Sequence, residues 1–276
     1  DLLADCQVAL PPLNDYLSRE LINRTRAARV LGKLRSFPQA DISGLVDVLQ
    51  RVSEIACEIP AIHQLEINPL LVDENGVIAV DARISVASAN TGPASYGHMA
   101  IHPYPPQLEQ HWRLVDGEEL LVRPIRPEDA QIEQNFVQGL SAQSKYFRFM
   151  GSLDKLTPLM LARFTQIDYD REMALVALPC GADSDERIVS VARYVTDPDR
   201  VSCEFALTVA DDWQQRGIGR QMMERLMQVA RERGIELMYG EVLAENRKML
   251  RLCQKLGFKS RRDPDAPEII VVRRDL

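Results

Sequence analysis

The sequence predicts an α/β (α+β) protein of two domains, and three observations carry that expectation. First, 276 residues exceed what one average domain needs. Second, strand-like and helix-like patterns follow one another in mixed order through residues 119–276, the signature of a sheet domain flanked by helices. Third, a stretch of different composition separates the two patterned regions. Ser, Ala, Gly, Pro and Tyr dominate it, and Pro103, Pro105 and Pro106 crowd its second half. Such a segment buries little and continues neither a helix nor a central strand. The domains therefore read as 1–88 and 119–276, joined by a linker over 89–118.

The N-terminal elements come in a simple order. Asp15 to Leu34 carries apolar residues at helical spacing (Leu17, Leu21, Ile22, Val30, Leu31), and a second helix runs from Ile42 to Ile59 and stops at Pro60. Two short strands follow, His63–Ile67 and Val77–Val80, with the turn signal Asp73-Glu74-Asn75-Gly76 between them. The C-terminal region opens with a strand at Leu120–Ile125. Arg126-Pro127-Glu128-Asp129 then starts a helix, with proline and acidic residues in its first turn. Further strands are expected at Met173–Leu178, Ile188–Val195, Ser202–Val209, Glu236–Val242 and Ile269–Val272, and helices at Gly219–Arg233 and Asn246–Leu256. Met222, Met223, Leu226, Val229 and Ala230 mark one face of the first of these helices, and Gly234 ends it.

Composition excludes several function classes. With 46% hydrophobic and 26% charged residues the chain can pack ordinary cores. No run of 18 apolar residues and no cleavable signal appears, so the reading is cytoplasmic, without a membrane span. Five scattered cysteines (Cys6, Cys57, Cys180, Cys203, Cys253) give no CxxC motif and argue against a disulfide framework or zinc site. A net charge of −7 argues against general nucleic-acid binding. Residues 214–276 nevertheless hold 14 Lys and Arg against 9 Asp and Glu, a positive segment suited to a small polyanionic ligand or to a solvated face. The chain starts at Asp1 as if mid-domain and reads as the C-terminal part of something larger.

The chemistry concentrates between Val201 and Phe258. A strand ends near Val209, a short polar turn follows, and Gly217 and Gly219 stand at the mouth of a helix. Glycines there let backbone N–H groups face outward, where free helical N–H groups and the helix dipole attract phosphate oxygens. Arg216 and Arg220 add charge beside them. Alternation along the strand places Glu204 with Ser202 and Ala206, opposite Cys203, Phe205 and Leu207.

Gln214-Gln215-Arg216-Gly217-Ile218-Gly219 resembles the Q/R-x-x-G-x-G/A acyl-CoA loop of the GNAT superfamily. Asn246-Arg247-Lys248-Met249-Leu250 through Lys255-Leu256-Gly257-Phe258 is similar to that family's second signature, one helix and one strand downstream. The resemblance covers residues 119–276 and implies a mixed, splayed central sheet flanked by helices, with acetyl-CoA as co-substrate. It implies that Leu207, Thr208 and Val209 run along the pantetheine arm. The pyrophosphate would lie on Gln215 to Gly219, near Gln214, Arg216 and Arg220, with Asn246 capping its helix and facing the cofactor. EFALTV before the loop resembles the Pat-type protein lysine acetyltransferases, which implies that Glu204 is the general base. A lysine amine is roughly 99.9% protonated at pH 7 and needs one. The departure is Cys253, where many GNAT enzymes carry a tyrosine acid; Tyr239 and Tyr194 are the substitutes.

HQLEINPLLVDENGVIAVDARI, residues 63–84, resembles the end of an ATP-grasp domain from NDP-forming acyl-CoA synthetases. That likeness implies Asn68 and Asp81, with help from Glu66, as a vestigial magnesium site. The upstream lysines and phosphate loop do not occur in this chain, so its Mg-ATP site is expected to be incomplete. A synthetase-like region followed by a GNAT domain is the layout of the bacterial Pat-type enzymes. This implies acceptor proteins with exposed lysines, such as acetyl-CoA synthetase; homo-oligomerisation stays open. A small-amine acetyltransferase, a non-catalytic acetyl-CoA sensor and an acyl-CoA ligase are the competing readings.

Overall fold

The computed structural model describes residues 5–32, 38–87, 96, 98–180, 186–263 and 266–276. The chain divides into two compact units, Asp1–Pro103 and Tyr104–Leu276.

In the N-terminal unit, α1 spans Asp15–Asn23, α2 spans Ala28–Leu31 and α3 spans Ile42–Glu58. The single helix expected over 15–34 is thus two. The Thr25 hydroxyl donates to the Ile22 carbonyl and accepts from the Ala28 N–H, a local side-chain bond that competes with the helical ladder. Leu34 lies outside the described residues. Asp41 caps α3 by accepting from the Gly44 N–H at 2.9 Å. Val46, Ser53 and Cys57 form the buried stripe of α3, and α1 packs beside it through Ser18 and Ile22. Strand β1 (Ile62–Ile67) pairs antiparallel with a strand at Ala82–Val86, while β2 (Leu70–Asp73) and β3 (Gly76–Ala79) form a hairpin; the Ala82–Val86 strand is β4. The hairpin closes on the turn read from sequence, where Asp73 accepts from the N–H groups of Asn75 and Gly76.

The C-terminal unit is one eight-stranded sheet. Its strands are β5 (Gln110–Arg113), β6 (Glu119–Pro124), β7 (Glu172–Cys180), β8 (Ser190–Thr196), β9 (Ser202–Val209), β10 (Leu237–Leu243), β11 (Lys259–Arg262) and β12 (Ile269–Asp275). They lie in the order β11-β12-β10-β9-β8-β7-β6-β5, and only β9 and β10 run parallel. Among the described residues five helices accompany them: α4 (Ala130–Gly139), α5 (Ala142–Phe149), α6 (Pro158–Thr165), α7 (Ile218–Glu232) and α8 (Arg247–Lys255). Central strand β7 is buried from Met173 to Leu178, as a strand covered on both faces must be.

Composition concealed one boundary. The stretch expected as linker to residue 118 joins the C-terminal unit from Tyr104, because β5 pairs with β6 and Leu108 and Leu114 are buried. Residues 88–95 and 97 of that stretch lie outside the described residues. Tyr104, Glu109 and Arg126 then lock the start of the unit: Arg126 pairs with Glu109 at 2.6 Å and lies 4.8 Å over the Tyr104 ring. At the start of α4, Arg123 and Asp129 form a bidentate pair, both bonds 2.7 Å, at only 3% and 2% exposure. Asp129 also accepts from the Arg126 N–H, so its oxygens are satisfied despite burial.

Candidate active site

The site is built where the sheet comes apart. Parallel pairing of β9 and β10 covers three residue pairs, Leu237 with Ser202, Met238 with Cys203 and Tyr239 with Glu204, and stops there. Both strands continue, β9 to Val209 and β10 to Leu243, each held on its outer side by β8 or β12. Between them opens a wedge. On the β8 side, the Ser202 carbonyl and the Ala210 N–H are bonded to Asp197 and Val189. Alternation then turns the N–H and C=O groups of Phe205, Leu207 and Val209 toward the wedge. Near its apex, a Cβ on Gly240 would come within 2.8 Å of the Phe205 ring, so a larger residue there would have to push that ring aside. That ring packs on Phe258 of the LGF segment at 5.2 Å.

Of the three residues expected along the pantetheine arm, Leu207 and Val209 present backbone to the wedge. Thr208 does not: its carbonyl accepts from Ser190 Oγ at 3.0 Å, on the β8 side. Its hydroxyl is buried without a partner on the Glu204 face.

At the wide end of the wedge lies the loop Gln214–Gly219. Gln215 (φ 66°) and Gly217 (φ 86°) are left-handed, and α7 starts directly after Gly217. Among the described residues no backbone carbonyl accepts from the N–H groups of Arg216, Gly217, Ile218 or Gly219. Four free amides at a helix N-terminus, arranged by left-handed residues, form an anion cradle. Gly219 brings α7 close to β9, next to Leu207 and Val209, and Ile218 anchors it in the core.

The flanking cations are less free than the sequence suggests. Arg216 Nε donates to Asp116 at 2.7 Å, and its guanidinium lies 4.2 Å over the Trp213 ring. Arg220 pairs with Glu224 at 2.9 Å. Gln214 is tied to the Val209 carbonyl and receives Lys248 Nζ at 2.9 Å. Backbone amides, more than arginines, are therefore the groups left free here to meet an anion. Asn246 accepts from the Met249 N–H at 3.1 Å and caps α8. A cleft of about 390 Å³ toward the other end of α7, lined by Arg231, Lys255 and Arg274 with Glu224, shares no residue with this loop.

Glu204 stands at the last rung of the β9–β10 ladder and is exposed. Partial desolvation raises its carboxyl above the ordinary value, the Glu241 and Asp197 carboxylates raise it further, and Arg148 opposes them. Tyr239, its neighbour across the ladder, donates to Asp197 at 3.1 Å, and burial with that bond pushes the phenol up to about 12. Cys253 is 1% exposed, and burial pushes its thiol up to about 12, the properties of a structural thiol. Tyr194 is wholly buried; burial raises it as well, and its hydroxyl faces Arg233 at 3.4 Å. Of the three candidate acids only Tyr239 adjoins Glu204.

In the N-terminal unit, Asn68 Nδ2 lies 3.5 Å from Glu66, the Asn68 N–H donates to the Asp81 carbonyl, and Asp81 faces Arg83 at 3.6 Å. The expected magnesium ligands Asn68 and Asp81 are thus joined through their backbone. Among the described residues no group of three or more His, Cys, Asp or Glu could hold a metal.

Two site residues escaped the sequence reading. Asp211, just before the loop, accepts from the Ser141 N–H (2.8 Å), Ser141 Oγ (3.0 Å) and Ser144 Oγ (2.7 Å), fastening the first turn of α5 to the start of the Gln214–Gly219 loop. Its partners lie about 70 positions away, and no local pattern announces them. Arg148 on α5 is the second; its signal was a cation between Phe147 and Phe149.

Comparisons with known proteins agree with this geometry. The acetyltransferase (GNAT) family profile matches residues 144–258, and an ATP-grasp domain profile matches residues 1–86. Acetyltransferase PA5475 of Pseudomonas aeruginosa is 39% identical over 165 residues, 59% of this chain and 88% of that protein. The β subunit of acetate–CoA ligase [ADP-forming] I of Pyrococcus furiosus is 32% identical over 84 residues, 30% of this chain; the chain spans only 36% of that subunit. Among solved structures, the GNAT domain of S. lividans PAT superposes with a TM-score of 0.57 at 30% identity, covering 63% of this chain and all of that domain. No described helix is long and apolar enough to cross a membrane. A splayed β9–β10 pair, an amide cradle at the start of α7 and these relatives lead to one assignment: the chain belongs to the GNAT family of acetyltransferases, with an ATP-grasp-like region at its N-terminus.

Proposed function

We propose that the C-terminal unit transfers acetyl from acetyl-CoA to the Nζ of a lysine in an acceptor protein, with Glu204 as general base. The observation that carries this reading is the place of Glu204. It is an exposed carboxylate at the rung where the sheet opens, with a proton affinity raised above the ordinary carboxylate value by partial desolvation and by Glu241 and Asp197. The co-substrate supplies an activated thioester. Leu207 and Val209 offer backbone groups along its arm, and the amides of Arg216 to Gly219 bind its pyrophosphate. Wedge-facing N–H groups polarise the thioester carbonyl. Glu204 accepts a proton from the lysine ammonium, directly or through water, and the freed amine attacks. Asp197 and Glu241 surround that point with negative charge, which suits a cationic acceptor. A thiolate is an adequate leaving group, and in this reading Tyr239, across the ladder from Glu204, protonates it. The likeness to the Pat-type enzymes supports acetyl-CoA synthetase as an acceptor.

The test is transfer from labelled acetyl-CoA to purified acetyl-CoA synthetase by the native chain and by Glu204→Gln, with the modified lysine located by mass spectrometry. Loss of about 10²- to 10⁴-fold in kcat with acetyl-CoA binding retained is the expected result. Transfer that survives the substitution removes Glu204 from the mechanism. Firm acetyl-CoA binding without transfer to this or any other lysine-bearing protein favours the sensor or small-amine reading instead.

A further inference from the structure

We propose that Arg148 is a positioning residue of the acceptor site: its guanidinium, seated on Phe164 beside Arg193, is the fixed positive charge that keeps Glu204 in its proton-accepting form. The inference rests on the assignment of Glu204 as base.

The geometry comes from register and ring contacts. Arg193 stands opposite Ala206 and Val195 opposite Glu204 in the β8–β9 ladder, so Arg193 shares the face of the sheet that carries Glu204. The Arg193 guanidinium lies 4.5 Å over the Phe164 ring and donates to the Phe164 carbonyl at 2.9 Å. Arg148 reaches the same ring at 5.9 Å and its neighbour Phe149 at 5.1 Å, and the two rings stack at 6.5 Å. Contact of both cations with the Phe164 ring seats Arg148 beside Arg193, whose side chain is on the Glu204 face of the strand pair. Helix α5 packs on β9, and Asp211 holds its first turn to the start of the Gln214–Gly219 loop. Two carboxylates act on the Arg148 charge, Glu133 of α4 first and Glu204 second, and Glu133 is shared with Arg193.

The charged groups around Glu204 can be followed element by element. The β8–β9 connection brings Asp197, and Asp199 is engaged by Ser202. From β10 come Tyr239 and Glu241. On β8, Arg193 is matched by Glu133 of α4 and Glu172 of β7. Helix α5 contributes Arg148, while Lys145 one turn earlier donates to the Gln138 carbonyl. Helix α7 packs on the opposite face, against Leu207 and Val209. Glu241 and Asp197 therefore favour the protonated Glu204, and Arg148 is the cation that counters them. Burial and the adjacent Arg193 lower Arg148 itself to about 10, which leaves it charged at neutral pH.

The experiment is the pH profile of kcat/KM for acetyl transfer to acetyl-CoA synthetase by the full chain, its Arg148→Met and Arg148→Lys variants, and Glu204→Gln. Arg148→Met should move the acid limb upward, costing about 3-fold or more on that limb while the alkaline plateau stays within about 2-fold. Arg148→Lys should restore the native limb, and acetyl-CoA binding by calorimetry should be unchanged in both. Should Arg148→Met not fold, Phe164→Leu unseats the guanidinium and should move the limb the same way. A loss that is uniform at every pH, or a limb that stays put in both variants, overturns the proposal. In Glu204→Gln the acid limb should disappear. If it disappears there but Arg148 does not govern it, only this inference falls; if it persists there, the base assignment falls with it.

Discussion

The N-terminal unit and the C-terminal unit use the same local signals, capped helices and alternating strands, with opposite outcomes. In the first, α3 is well capped and its stripe is buried, yet β1–β4 and β2–β3 are separate two-stranded ladders. Leu71, Ile78, Ile84 and Val86 on those strands stay exposed. In the second, eight strands are continuous and β7 is buried on both faces. The difference teaches what a wedge site requires. Strands β9 and β10 can part after three rungs because each keeps a full ladder on its other side. A strand in a two-stranded ladder that parted from its partner would leave its backbone groups to water and lose its place. Opening a sheet to a ligand is available only to a sheet that is closed elsewhere.

The largest effect expected from breaking that contrast lies in the buried Arg123–Asp129 pair of the C-terminal unit. Asp129→Ala leaves an uncompensated buried guanidinium and should cost about 3–5 kcal/mol in urea unfolding of this unit. Amide protection of α3 in the N-terminal unit, followed by hydrogen exchange, should not change. Gly217→Ala comes next. It places a Cβ on a left-handed residue at a cost of about 1–2 kcal/mol, which should raise KM for acetyl-CoA by roughly 5- to 30-fold with kcat little changed. In the N-terminal unit, Asp41→Ala removes the α3 cap and should lower protection there by about 1 kcal/mol, with acetyl transfer unaffected.

The smallest effect is electrostatic. Because Glu241 raises the Glu204 carboxyl, a base is ionised only above its pKa, and removing the repulsion lowers that value. Glu241→Gln should move the acid limb of the activity profile to lower pH and leave the alkaline plateau in place. A limb displaced upward would contradict the sign of this coupling.

Much of the site was legible before the fold was known. Gln214–Gly219 and Asn246–Phe258 announce themselves because a left-handed glycine at a helix start and an asparagine cap are local requirements. The Schellman end of α7 was equally plain: Gly234 is left-handed, and Ile235 donates back to Ala230. The start of α6, Thr157-Pro158, likewise carries a local cap, with Thr157 accepting from the Met160 N–H. Strand β11, Lys-Ser-Arg-Arg and exposed throughout, carries no hydrophobic alternation and could not be read.

The sequence by itself determined strands β6 to β10 and β12, the face on which Glu204 stands and the free amides at the start of α7. These follow from period-two alternation and from backbone angles that residues a few positions apart dictate. Only the tertiary structure decided that Arg216 is shared with Asp116, that Thr208 turns its backbone to β8, that Asp211 fastens α5, and that Arg148 and Arg193 share one ring. Each of these joins residues between 16 and 100 positions apart. Charge and hydrogen-bond partners act through space, and chain distance carries no information about which of several equivalent carboxylates or rings will lie within reach.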